Sequence, residues 1–121
     1  MSRARQILGK RGEDLACVEL ERRGYAIIAR RYRRRSGEVD IIARDGPTLV
    51  FIEVKARECL EFGAGGEAIT PLKRRRMAAI ALDYLARNGL TESACRFDVV
   101  SVEIRGNVPM IEVYQNAFDV S

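Results

Sequence analysis

Two short segments constrain the fold more than any other part of this chain. Gly37-Glu38-Val39-Asp40-Ile41-Ile42 and Leu49-Val50-Phe51-Ile52-Glu53-Val54-Lys55 flank Asp45-Gly46-Pro47. Both are rich in β-branched and aromatic residues and a turn separates them, so they read as the two strands of a hairpin. Side chains alternate along a strand, which puts Glu53 and Lys55 on one face. Loop length decides where Asp40 goes. An even loop brings it to that face, and a four-residue loop from Asp45 to Thr48 sets it directly opposite Glu53. An odd loop sends it to the other side. Two carboxylates and an ammonium at the end of an apolar hairpin outline a site for a divalent metal and a phosphate.

Histidine is absent from all 121 residues. That excludes Ser-His-Asp and Cys-His nucleophilic sites, His-ligated zinc, and nucleases with a histidine base. Chemistry is left to Asp, Glu, Lys, Arg, Tyr and hydroxyls, a set that favours hard cations such as Mg²⁺ or Mn²⁺. With 47% hydrophobic and 31% charged residues, the chain has the make-up of a soluble globular protein. Its length suits one domain over residues 1–121 with its own core. Cys17, Cys59 and Cys95 are far apart and odd in number, which fits free thiols in a reducing cytoplasm. No apolar run approaches the roughly 18 residues of a membrane span, and the basic N-terminus lacks a signal peptide's apolar stretch. The expectation is therefore a cytoplasmic protein with no membrane partner.

The net charge is +4, and its distribution matters more than its size. Arg30-Arg31-Tyr32-Arg33-Arg34-Arg35 and Lys73-Arg74-Arg75-Arg76 are dense basic clusters. Such clusters suit a polyanion, because phosphate contacts release counterions; two solvated faces are the plainer alternative.

The pattern predicts a first helix from about Arg5 to Arg23, stopped at Gly24. A first strand from Tyr25 to Arg33 and the hairpin follow, then a loop from Arg57 to Ile69 containing Gly63-Ala64-Gly65-Gly66. Thr70-Pro71 opens a second helix that ends at Asn88-Gly89. Strands follow at Arg96 to Ile104 and Met110 to Gln115. The order α-β-β-β-α-β-β implies an α/β sandwich around a mixed sheet. On the first helix Glu13 is in register with Ala16, Cys17 and Leu20, while Leu8, Leu15 and Val18 occupy the opposite side; the pattern does not choose between them. On the second helix Lys73 lines up with Met77, Ile80, Ala81 and Tyr84, whereas Arg74 and Arg75 diverge. A lysine there, beside the helix's positive pole, is placed to meet a phosphate; the alternative is a snorkelling side chain with its head in water.

Glu13, Gly37-Glu38-Val39-Asp40 and Glu53-Val54-Lys55 together resemble the PD-(D/E)xK nuclease superfamily, the restriction-endonuclease-like fold. More closely, the chain resembles the YraN family of small bacterial proteins. That resemblance covers nearly its whole length, including Gly12-Glu13-Asp14-Leu15-Ala16, Leu20-Glu21-Arg22-Arg23-Gly24-Tyr25, Phe51-Ile52-Glu53-Val54-Lys55-Ala56-Arg57, Lys73, Arg96-Phe97-Asp98-Val99-Val100 and Asn116-Ala117-Phe118. The family is similar in pattern to archaeal Holliday junction resolvases. One position departs from the superfamily pattern: Val39 stands where a proline usually precedes the aspartate.

The resemblance implies an αβββαβ core and metal-dependent hydrolysis of phosphodiesters, in DNA ahead of RNA, with branched DNA as a candidate substrate. It makes Asp40, Glu53 and the Val54 carbonyl the Mg²⁺ or Mn²⁺ ligands, with Glu13 reaching in directly or through water. Lys55 would stabilise charge on the phosphoryl oxygens, and Lys73 would contact an adjacent phosphate. Arg57, Arg33, Arg34, Arg35 and Arg74 are candidate nucleic-acid contacts. Resolvases need two active sites, which makes a homodimer the oligomer to test, with Leu8, Leu15 and Val18 as its candidate surface. Alternatives stay beside this reading. Asp40, Glu53 and Lys55 would otherwise form a cross-strand ion-pair network, Glu38 a support on the opposite face, and Asp98 a structural acid. Tyr25 and Tyr32 would be base-stacking or core aromatics. At the level of function, the runners-up are a non-catalytic nucleic-acid-binding module on the same fold and an interaction subunit in DNA processing.

Overall fold

The computed structural model describes residues 3–58 and 69–118. Helix α1 (Arg3–Arg22) leads into strands β1 (Ala26–Arg34), β2 (Gly37–Asp45) and β3 (Thr48–Glu58). Helix α2 (Pro71–Arg87) and strands β4 (Cys95–Arg105) and β5 (Val108–Tyr114) complete the chain. The strands lie side by side in chain order, antiparallel except for the parallel pair β3–β4. The element order is the one the sequence predicts. The Gly63–Gly66 segment of the expected loop and Cys59 lie outside the described residues.

Both helix ends follow their local chemistry. Gly24, at φ 96, takes the left-handed turn that closes α1, while Tyr25 N–H donates to the Leu20 carbonyl at 2.9 Å. Thr70 caps α2, its hydroxyl accepting from Lys73 N–H at 3.1 Å, with Pro71 at the first helical position.

The central strands β2, β3 and β4 are covered on both faces, which explains the unbroken apolar runs of β2 and β3, while the edge strands β1 and β5 are largely exposed. One face packs Ala16, Cys17 and Leu20 of α1 against Ile41, Ala43, Val50, Ile52, Val100 and Val102. The other packs Met77, Ile80, Ala81 and Tyr84 of α2 against Ile42, Phe51, Phe97 and Val99. So the Glu13–Ala16–Cys17–Leu20 stripe is the buried side of α1; of the three residues expected on the opposite side, Val18 is 65% exposed, whereas Leu8 and Leu15 pack partly buried against the same layer. Phe51 anchors the α2 layer between Tyr84 and Phe97. Tyr32 stands edge-on to Tyr84, a packing aromatic.

A polar cluster pins the strands at the end where β3 begins. Fully buried Asp98 accepts from Tyr25 Oη at 2.8 Å, from the Arg96 guanidinium, and from Asn116 N–H at 2.9 Å. Arg96 also reaches Asp45 at 3.0 Å, beside the hairpin turn. Every partner in this cluster is satisfied, so Asp98 and Tyr25 are structural.

Candidate metal and phosphate site

The hairpin register answers the loop question left open by the sequence. Asp45 pairs with Thr48 and Ile41 with Ile52, so the turn is the two residues Gly46-Pro47 and the even register holds. Continued by one residue, that register sets Asp40 opposite Glu53. The paired ladder stops at Ile41, however, and Val54 N–H turns to donate to Asp40 Oδ2 at 2.8 Å. Alternation also fails here: Val39 packs in the α2 layer and Ile41 in the α1 layer. Strand β2 thus switches faces at Asp40, whose carboxylate accepts from β3 and also lines an open groove. It can address groups from both layers.

Glu53 belongs to the α2 side. Its carboxyl meets that of Asp40 within hydrogen-bonding reach. Lys73 Nζ lies 3.2 Å from Glu53 Oε2. The angle of that ion pair falls short of a hydrogen bond, so this buried oxygen has no well-directed donor. Burial drives the Glu53 carboxyl up to about 7, and the neighbouring Asp40 charge adds to the shift while Lys73 opposes it. Burial likewise raises Asp40, against the pull of the Val54 N–H and Lys73. Two facing part-buried acids with one poorly satisfied oxygen are short of positive charge. That deficit is what a divalent cation would fill.

The residues fit such an ion as a partial shell. Asp40, Glu53 and the Val54 carbonyl would be its oxygen donors, and hard cations accept water for the remainder. Among the described residues no three acidic or sulfur side chains form a ready-made cage. Glu13 is near enough for its charge to act on Asp40, yet both its oxygens are already held. Arg30 Nε donates to Oε1 at 2.8 Å and Arg31 Nε to Oε2 at 3.1 Å.

Lys73 turns its head inward to Glu53, so it does not snorkel. Lys55 shares the Glu53 face beside Ser101 and makes no ion pair or hydrogen bond among the described residues. The ammonium found at the carboxyl pair is therefore that of Lys73. Arg33 and Arg57 line an open groove of about 1160 Å³ together with Lys10, Glu13, Arg31 and Asp40. Arg34 and Arg74 are partly committed elsewhere, over the rings of Tyr32 and Phe118 at 5.5 and 5.7 Å. Arg33 pairs with Glu38 at the groove's exposed rim, and Arg35 is exposed. Sequence reasoning missed Arg30 and Arg31 as partners of Glu13. Their only sequence signal was membership of a basic run.

The raised Glu53 carboxyl carries a stability consequence. A carboxyl that titrates higher folded than unfolded favours folding while protonated, fully so below its unfolded value near 4.5. That contribution is lost as pH rises through about 7. Its size is on the order of 3 kcal/mol. Urea unfolding in EDTA should therefore show stability from this site declining between pH 5 and 8, and Mn²⁺ should restore it more at pH 8 than at pH 5. A Glu53→Gln variant should lack that decline.

The profile of the uncharacterised protein family UPF0102 matches residues 12–102, a span that includes Glu13, Asp40, Glu53, Lys55 and Lys73. A UPF0102 protein of Geobacter sulfurreducens is 49% identical over 117 residues, covering 96% of this chain and 91% of the relative. One from Geobacter metallireducens is 43% identical over 121 residues, 100% of this chain and 99% of the relative. Another, from Symbiobacterium thermophilum, is 53% identical over 96 residues, 79% of this chain and 81% of the relative. No helix is long and apolar enough to cross a membrane among the described residues.

Proposed function

We propose, for a chain that belongs to the uncharacterised protein family UPF0102, a divalent-cation-dependent hydrolysis of phosphodiester bonds in DNA. The observation that carries this reading is the part-buried Asp40–Glu53 carboxyl pair, attended by Lys73, with Asp40 lining a groove that also bears Lys10, Arg31, Arg33 and Arg57. Buried acids beside a polyanion site repel the ligand unless a cation stands between them. The resemblance to PD-(D/E)xK nucleases and archaeal junction resolvases supports the same assignment, with branched DNA as the substrate to try first.

Asp40, Glu53 and the Val54 carbonyl would hold Mg²⁺ or Mn²⁺. When bound, the ion neutralises phosphate charge and activates a water for attack on phosphorus. The protein's part is positioning and charge. Val54 N–H fixes the Asp40 carboxylate, so its free oxygen is aimed before any ligand arrives. Lys73 pairs with Glu53, and can donate to a phosphoryl oxygen once Glu53 is otherwise engaged. Lys55, with no partner to give up, donates to the attacking water or a non-bridging oxygen. The groove's arginines hold flanking phosphates in register with the carboxyl pair.

The arginine grip on Glu13 favours a second reading, a DNA-binding module that does not cut. A cleavage assay separates the two. Supercoiled, single-stranded and four-way-junction DNA should be nicked by the pure protein with Mn²⁺ or Mg²⁺ and left whole in EDTA. Equal junction binding with and without cation, with no nicking by the protein under any condition, supports the module and removes hydrolysis.

A further inference from the structure

Arg31 and Arg30 both hold Glu13, but they are built differently. Arg30 bridges two acids of α1, Glu13 through Nε and Asp14 through Nη2, as a strut between helix and sheet. Arg31 gives Glu13 only its Nε, and its terminal amino groups make no hydrogen bond among the described residues. The Arg31 side chain is half exposed and lines the same groove as Asp40. Its backbone sits at φ 52, a left-handed conformation that L side chains rarely adopt and that persists where surrounding structure imposes it. The β1–β2 pairing explains the imposition: Arg30 opposes Ile41 and Tyr32 opposes Val39, which places Arg31 opposite Asp40 where β2 switches faces. So the strained arginine and the site aspartate mark one irregular point in the sheet.

We propose that Arg31 is an exchangeable clamp, which trades Glu13 for a backbone phosphate of nucleic acid in the groove and so frees Glu13 Oε2 for the cation at Asp40 and Glu53. The inference rests on the cation-site reading above and adds a coupling to it. Guanidinium pairs with phosphate through two parallel N–H donors, at least as well as it now pairs with a carboxylate through one. Moving it therefore exchanges one charge-assisted contact for another. The release adds a third carboxylate to a partial shell. Linkage then requires reciprocity: by whatever factor the phosphate strand tightens cation binding, the cation tightens binding of the strand. Arg30 stays behind on Asp14 and Glu13 Oε1, keeping the helix docked during the exchange.

Mn²⁺ affinity of the full chain without nucleic acid, measured by electron paramagnetic resonance, tests the clamp. Arg31→Ala should bind Mn²⁺ about fivefold tighter than the parent or more, because Glu13 is freed without a phosphate. Arg31→Gly should repeat the gain with a residue at ease in the left-handed backbone. Arg33→Ala removes a charge from the same groove without touching Glu13 and should change affinity less than about twofold. Adding Glu13→Gln to Arg31→Ala should erase the gain. Parent-like affinity in both Arg31 variants, or an equal gain in Arg33→Ala, overturns the clamp. In that event Asp40→Asn tells which claim failed: lost Mn²⁺ binding leaves the cation site standing, and unchanged binding removes both.

Discussion

Asp40→Asn should reduce cation-dependent DNA cleavage about 10³-fold or more while making the cation-free protein more stable. The two effects share one cause. At pH 8 the folded protein holds two facing part-buried acids that resist ionisation together. An asparagine keeps an oxygen for the Val54 N–H, and its amide can donate to Glu53, replacing repulsion with a hydrogen bond. The relief is worth about 1–2 kcal/mol, a rise of roughly 4–8 °C in melting temperature for a chain of this size. Glu53→Gln should lose activity equally but gain less stability, since it strips Lys73 of its partner. Thermal melts in EDTA at pH 8 and a nicking assay with Mn²⁺ check both halves. Carboxyls that served only as a structural ion-pair network would give the opposite stability result, with both variants melting lower than the parent.

Gly12→Ala should be among the most damaging single-methyl additions available in this fold. A Cβ at position 12 would lie 2.4 Å from Ala56 Cβ on β3, where carbon atoms ordinarily approach no closer than about 3.5 Å. Neither atom belongs to a flexible side-chain end, so helix and strand must separate. Overpacking of this kind costs about 3 kcal/mol, or roughly 10 °C. The next residue is Glu13, so the same displacement pulls its carboxylate away from Arg30 and Arg31. Ala56→Gly in the same chain should recover much of the loss by removing the opposing methyl. Urea unfolding of the two single variants and the double variant measures it. A Gly12→Ala protein within about 0.5 kcal/mol of the parent would show that α1 is not seated on β3 as described.

The fold was legible because its signals are local. Alternating β-branched strands, a Gly-Pro turn, a Thr-Pro helix start and glycine stops each act within a few residues, and each forms where the sequence places it. The even hairpin register brought Asp40 to Glu53, and the helical spacing of Lys73 with Met77 and Ile80 brought its head to the same pair. What stayed hidden was set by contacts between distant segments. The face switch at Asp40 arises where two ladders end at different places, and no periodicity records it. The choice of Glu13 by Arg30 and Arg31, out of a run of basic residues, depends on how α1 lies across β1. Gly12 looks like any helix glycine until Ala56 is found beneath it. Lys55, the strongest motif residue after the acids, shares the Glu53 face of β3 but pairs with neither carboxyl among the described residues, and the ammonium at Glu53 is that of Lys73.

Hydrolysis at this site requires that Asp40 and Glu53 share a cation. Crystals soaked in MnCl₂ at pH 8 and measured at the manganese edge address this directly. The expected result is one anomalous peak within about 2.2 Å of an oxygen from each carboxylate and of the Val54 carbonyl, displaced from Lys73 and missing in Asp40→Asn. A map with no peak between these residues, and Lys73 still seated on Glu53, would contradict it.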